Sequence, residues 1–143
     1  MSARLFTLPL LLIFTLLTGC GRDDPQAALE TAVQQLQDNL EAKQTSAVLA
    51  QLHPEFRAQQ QFDRTWAKRT LLLLFMRHKH VKVIALGKSS HIDPTYTRKA
   101  FTATRVALTG AEGLIPDSAG HYQVKLEWWR DDDEWKLARL SWE

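Results

Sequence analysis

The chain has 143 residues, with 18 lysines and arginines against 16 aspartates and glutamates, and a single cysteine. That length fits one domain, and the near-balanced charge argues against nucleic acid as a partner, because phosphate binding draws on a concentrated basic face. One cysteine alone can form neither an internal disulfide nor a multi-thiolate metal site.

Residues 5–16 (LFTLPLLLIFTL) are an apolar run behind Arg4. The run is too short, and too interrupted by Pro9, to span a hydrocarbon core of ~30 Å, so it reads as a cleaved signal rather than a membrane helix. Leu17, Thr18 and Gly19 lead into Cys20. The pattern resembles the lipobox of bacterial lipoprotein precursors. That resemblance implies a signal peptide over residues 1–19, cleavage before Cys20 and acylation of Cys20, palmitate included. Thiol chemistry would then be unavailable to the fold. Two or three acyl chains hold a protein to a bilayer where one holds only marginally. Gly21 rather than aspartate follows the cysteine, which by the enterobacterial sorting pattern leans toward the outer membrane, facing the periplasm. Residues 20–24 form the anchor and a short linker, and the four residues from Gly21 to Asp24 reach about 14 Å when extended.

Asp24 and Pro25 predict a helix start, as N-cap acceptor and first helical residue. Leu29, Val33, Leu36 and Leu40 then place one apolar stripe on a helix over residues 25–43. The polar face lacks the lysine and arginine of surface-seeking helices, so packing against a core is expected. Thr45 or Ser46 can cap a short second helix carrying Val48, Leu49 and Leu52, which His53 and Pro54 should stop. Phe56 is an apolar anchor, and residues 57–61 read as loop or irregular strand. Asp63 can cap a third helix over residues 64–77, apolar on most sides near its end and so expected to be sandwiched.

From Val81 the period becomes strand-like. Strands are predicted over residues 81–86, 101–108, 122–129 and 135–142, separated by turn-rich stretches. The last two form a hairpin around Asp131, Asp132, Asp133 and Glu134. Pairing Arg130 with Trp135 sets Trp128 opposite Leu137 and Leu126 opposite Arg139. Tyr122, Val124, Leu126, Trp128, Trp135 and Leu137 then share one face, while Trp129, Leu140 and Trp142 share the other.

Helices followed by antiparallel strands make an α+β pattern, with helices packed on one face of a curved antiparallel sheet. The stretch from Glu41 to Phe56 (EAKQTSAVLAQLHPEF) and the closing hairpin, with Trp128, Trp129 and the run Glu134, Trp135, Lys136, Leu137, resemble nuclear transport factor 2-like domains, which include the SnoaL and ketosteroid-isomerase-like proteins. The likeness covers residues 25–143 and is greatest to small lipoproteins of Gram-negative bacteria. It implies a cone-shaped fold with a pocket between the concave sheet and the helices. It spans isomerases, dehydratases, cyclases, ligand carriers and protein-binding modules, so it does not hand over a function.

The candidate pocket residues are Phe56, Trp66, Tyr122, Trp128 and Arg139. The aromatics suit a hydrophobic ligand and equally suit a core. A guanidinium at Arg139 among apolar neighbours needs an anionic or carbonyl partner, from a ligand or from the protein. Arg105 alternates with Phe101, Ala103 and Ala107 and is not assigned to either face. His78 and His80 have the spacing of a strand metal pair, but a solvated basic junction explains them as well. The acidic turn at 131–134 lacks the glycine and spacing of a calcium loop. Asp63, His53 and Glu55 lie near the expected pocket mouth, yet no matched acid–base dyad emerges. The residues therefore imply no catalytic site, no metal and no cofactor. The expected function is a membrane-anchored binding module for a small apolar ligand or an envelope protein. The alternative is a ketosteroid-isomerase-like or dehydratase-like enzyme acting on a small hydrophobic substrate. Oligomeric state stays open, a dimer included.

The anchor is directly testable. A fatty-acid analogue supplied to cells should label the protein, and Cys20→Ser should abolish both labelling and membrane fractionation. Equal retention of the serine variant after high-salt washing would contradict the lipoprotein reading.

Overall fold

A computed structural model describes residues 24–110 and 122–143; Cys20 and the expected signal segment lie outside the described residues. The elements run α1 (Pro25–Glu41), α2 (Thr45–Ala50), β1 (Leu52–Ala58), α3 (Arg64–Arg77), β2 (Val81–Ile92), β3 (Lys99–Gly110), β4 (Tyr122–Asp131) and β5 (Glu134–Trp142). One five-stranded sheet has the order β1-β5-β4-β3-β2.

Helix α1 starts where its residues dictate. The Asp24 carboxylate accepts from the Gln26 backbone N–H at 3.0 Å, and Pro25 occupies the first turn. Leu29, Ala32, Val33 and Leu36 are buried along one stripe. The helix closes at Ala42, and Lys43 takes a left-handed φ of 58°. Lys43 Nζ then donates to the His78 carbonyl at 2.6 Å, tying this end of α1 to the end of α3. In α2, Thr45 is the first helical residue and not the cap; Gln44 holds the cap position without a side-chain bond. Asp63 does cap α3, accepting from the Trp66 N–H at 3.0 Å.

The sheet is mixed, which corrects the expectation of a wholly antiparallel one. Residues 52–58 form β1, parallel to β5, where a helix stop at His53 and Pro54 is expected, followed from residue 57 by a loop or irregular strand. Pro54 hid this strand from a reading of the sequence. Proline cannot donate to a ladder and is confined to edges or irregular pairings, and β1 is an edge strand whose register shifts between Leu52 and Arg57. Leu52, Phe56 and Ala58 still turn inward and are buried.

The hairpin follows the expected register for only half its length. Arg130 pairs with Trp135, Trp129 with Lys136 and Trp128 with Leu137, around a two-residue turn at Asp132 and Asp133, both with positive φ. Beyond that, Glu127 pairs with Arg139 and Leu126 with Leu140, because Ala138 is an extra residue in β5. Such a bulge shifts pairing by one residue and exchanges the faces of everything after it. Leu140 therefore joins Leu126 and Leu137 on the inner face, and Arg139 leaves it. The Arg139 guanidinium lies 4.7 Å from the centre of the Trp129 ring and donates to the Glu55 carbonyl at 2.7 Å, on the outer face. Its expected place opposite Leu126, in the pocket, is thus overturned.

Trp128 is 0% exposed and sits at the centre of the core. Its indole N–H donates to Thr102 Oγ1 at 3.1 Å, and Thr102 shares a 2.8 Å hydrogen bond with Ser90. The Trp135 indole N–H donates to the Pro25 carbonyl at 3.0 Å, fastening β5 to the first turn of α1.

Two stability measurements check this arrangement. Thr102→Val leaves the Trp128 N–H buried without an acceptor and should cost about 1–3 kcal/mol in denaturant unfolding; in a Trp128→Phe background most of that cost should vanish. Arg139→Met removes an exposed cation–π contact and a solvent-accessible hydrogen bond, so it should cost roughly 1 kcal/mol or less. A loss near the 3–5 kcal/mol of a broken buried ion pair would contradict the outer placement.

Candidate functional site

Between the helices and the inner sheet face lies a cavity of about 300 Å³. Leu36 and Leu40 of α1, Trp66, Leu71 and Leu74 of α3, and Val83, Leu126 and Leu140 of the sheet make its walls almost wholly apolar. Its polar side chains among the described residues are Gln37, Thr70, Lys88 and Thr104, so the described lining holds no carboxylate, histidine or tyrosine. A larger depression of about 530 Å³ lies between the start of α1 and the acidic turn, lined by Asp24, Gln35, Gln51, Glu134 and Lys136 among others. That one mixes polar and apolar side chains, charged ones among them. The apolar cavity is the better ligand site, because burial of apolar surface supplies most small-molecule affinity.

Lys88 reaches this cavity through a bulge. Leu86 pairs with Arg105 and Ser89 with Ala103, which leaves Gly87 and Lys88 together opposite Thr104. Gly87 has φ +63°, a left-handed conformation that glycine adopts without strain. In an unbroken strand Lys88 would fall in phase with exposed Leu86; the extra residue turns it inward. There Lys88 Nζ donates to Gln34 Oε1 and Gln37 Oε1, each at 3.3 Å. Gln37 is itself positioned by a 3.1 Å bond to the Val83 carbonyl. Lys88 and Val33 also border a polar recess of about 230 Å³ with Glu30, Gln34 and Ser90. The ammonium therefore stands between the dry cavity and a wet exit. Sequence reasoning passed over Lys88, although an isolated glycine inside a strand pattern is the sign of a bulge.

The other sequence candidates are dispersed. Phe56 and Trp66 line the cavity. Trp66 stacks on Phe62 at 4.8 Å and on Trp142 at 6.2 Å, so the second bulge-shifted residue, Trp142, supports the cavity wall instead of lying on the outer face. Trp128 is packed beneath the cavity floor and does not line it, and Tyr122 at the start of β4 is half-buried away from it. Arg105 is exposed on the outer face. His53 meets the Trp129 ring edge-on at 4.8 Å on that face, and its Nδ1 accepts from the Glu55 N–H. His78 is half-buried and His80 exposed, and among the described residues no three histidines, cysteines or carboxylates gather as metal ligands would. Among the described residues, the carboxyl that stands away from its ordinary range is Asp93, in the turn after β2. The backbone N–H groups of Tyr96 and Thr95 bind it at 2.8 and 2.7 Å and hold its pKa down. Stability from that contact is present above the ordinary carboxylate value and lost as pH falls below it, through the lowered pKa of the folded state. It lies outside the cavity.

Solved structures share this arrangement at low identity. An NTF2-like protein of unknown function from Pseudomonas putida KT2440 superposes with a TM-score of 0.68 at 9% identity, over 82% of this chain and 84% of that one. Bd1075 of Bdellovibrio bacteriovorus gives 0.68 at 12% identity over 80% of this chain, which spans only 38% of that protein. A ketosteroid isomerase candidate from Shewanella frigidimarina NCIMB 400 gives 0.62 at 16% identity, over 86% and 98% of the two chains. No family model matches the sequence, and no curated protein sequence matches it. Three helices on a five-stranded mixed sheet, enclosing one apolar cavity, together with these neighbours, give the chain the nuclear transport factor 2-like fold.

Proposed function

We propose that the protein is a binding module, held to the periplasmic side of the outer membrane through acylated Cys20, whose cavity takes a small single-chain amphiphile with an anionic head. The observation that carries this reading is the pairing of an apolar cavity with one cation at its mouth. Lys88 is met only by neutral glutamine oxygens among the described residues. A carboxylate could take their place or join them, while its hydrocarbon tail enters the cavity. The cavity volume, about 300 Å³, sits at the small end of ligand pockets. A medium-chain monocarboxylate suits it better than a sterol or a large polycycle. Each methylene buried there contributes about 0.8 kcal/mol.

The described lining favours binding over the ketosteroid-isomerase-like or dehydratase-like alternative. Proton abstraction at carbon calls for a base within hydrogen-bond reach of the substrate. Lys88 is the one titratable side chain on the described lining, and its ammonium is engaged by the Gln34 and Gln37 oxygens at the cavity mouth. Neighbouring structures include proteins of unknown function beside isomerase and dehydratase candidates, so fold carries no vote between them. Envelope location is supported by the lipobox alone, and the short linker would hold the domain near the headgroups.

Decanoate and decanol, competing against an environment-sensitive dye, test the proposal on the full chain. Both should bind, decanoate roughly tenfold more tightly. Lys88→Met should lower decanoate to the level of decanol, a loss of about 1.4 kcal/mol. Ala85→Phe, which fills the cavity, should remove both. If decanol binds and Lys88→Met changes nothing, the anionic head is wrong. If neither ligand displaces dye from a folded wild type, the cavity is not a ligand site.

A further inference from the structure

The near-neutral charge of the whole chain conceals a segregation. Residues 64–92 contain seven lysines and arginines, three histidines and no aspartate or glutamate, although the chain holds 16 acidic residues. Helix α3 opens this stretch. Its cavity side is built from Ala67, Leu71 and Phe75, which are buried. On the opposite side Arg69, Leu72, Leu73 and Met76 follow one another at i, i+3, i+4 and i+7, the spacing of a single helical stripe. Those apolar side chains are not covered: Leu72 is 43%, Leu73 52% and Met76 81% exposed. Lys68 and Arg77 flank the stripe and are exposed, as is Arg69.

The sequence predicts a sandwiched helix here because α3 is apolar on both sides. Among the described residues a partner covers one side only. Nor do the basic residues of this stretch meet acidic partners among the described residues; Arg64 and Lys88 bond only to neutral oxygens. Among the described residues the ion pairs join Lys99 to Glu127, Arg130 to Asp133 and Lys136 to Glu134, none of them in residues 64–92. An exposed apolar stripe edged by cations of one sign has two complements to satisfy at once, hydrocarbon and negative charge.

We propose that the outward face of α3 docks on an anionic phospholipid surface. Leu72, Leu73 and Met76 enter the boundary between headgroups and acyl chains, and Lys68, Arg69 and Arg77 meet the phosphates. The charge pattern favours this occupant over the others. A second copy of the chain applied to the same face by a two-fold axis would set Lys68, Arg69 and Arg77 against their own like charges. A protein partner would need an acidic patch of matching size and shape, held in register with this face. A leaflet containing phosphatidylglycerol offers negative charge and hydrocarbon everywhere, without registry. The helix axis would lie along the membrane plane, with the cavity on the side of α3 facing away from the lipid. The docking requires neither the cavity ligand nor acylation of Cys20.

The test uses the full chain with Cys20→Ser and Met76→Cys, carrying an environment-sensitive fluorophore at position 76, and vesicles of pure phosphatidylcholine or of phosphatidylcholine with phosphatidylglycerol. A second protein carries the same fluorophore at Ala103→Cys, because Ala103 is exposed on the outer face of the sheet between buried Thr102 and Thr104. With phosphatidylglycerol the emission at position 76 should shift to the blue and be quenched by brominated acyl chains, while the probe at 103 stays in water. High salt should weaken the effect. Lys68→Glu, Arg69→Glu and Arg77→Glu together should reduce vesicle affinity at least tenfold with an unchanged circular dichroism spectrum and unchanged dye binding in the cavity. The proposal is overturned if the probe at 76 stays in water on either vesicle, if both compositions act equally, if both probes report the same burial, or if the shift at 76 grows with protein concentration without lipid, which would assign the face to a second copy.

Discussion

Side chains on a β-strand alternate between faces, and one inserted residue reverses that alternation for everything beyond it. The protein depends on two such insertions. Ala138 in β5 moves Leu140 and Trp142 to the helix side and sends Arg139 to the opposite face, over Trp129. The Gly87 and Lys88 pair in β2 brings a lysine to a face that the strand otherwise builds from Val81, Val83 and Ala85. Without the first bulge the cavity wall would carry a guanidinium needing a partner. Without the second it would carry no charge. The chemistry of the cavity is therefore fixed by backbone irregularity more than by the residue types on each strand.

The same two insertions divide the molecule by function. Below the cavity, Trp128, Thr102 and Ser90 form a satisfied polar chain inside a close-packed floor. Such a chain is stabilising when complete and costly when broken, so it defines one register between β3 and β4. Above it, the packing is left open between α1, α3 and the sheet. An apolar void forfeits dispersion contacts that a filled core would gain, and a fold that keeps one gives up stability in exchange for room. Helix α3 carries both consequences, with one side on that room and the other, Leu72, Leu73 and Met76, uncovered.

Much of this was legible in the sequence, and the exceptions share a cause. Asp24 with Pro25, Asp63, and the acidic turn at 131–134 are local signals whose chemistry acts within a few residues, and each lies where the spacing predicts. Apart from β1, the order of helices and strands follows from the change of period at Val81. Strand β1 was hidden because Pro54 breaks its alternation, and its pairing with β5 is set by residues some eighty positions away. The Ala138 bulge was hidden because alanine sits as easily on a regular strand as in a bulge. Gly87 did carry a readable sign, an isolated glycine in a strand pattern. The uncovered side of α3 could not be read, since apolar residues on all sides of a helix look the same whether the partner is the protein's own core or a surface outside it.

The central claim is that the two bulges create a dry, singly charged ligand cavity on the helix side of the sheet, and methyl NMR spectra of the full chain during a decanoate titration test it most directly. The account predicts saturable shifts at Val33, Leu71, Val83 and Leu126, which line the cavity, and none at exposed Leu86 or Ile84 on the other face of β2. Shifts confined to those outer residues, or none at the cavity methyls at saturating ligand, would contradict it.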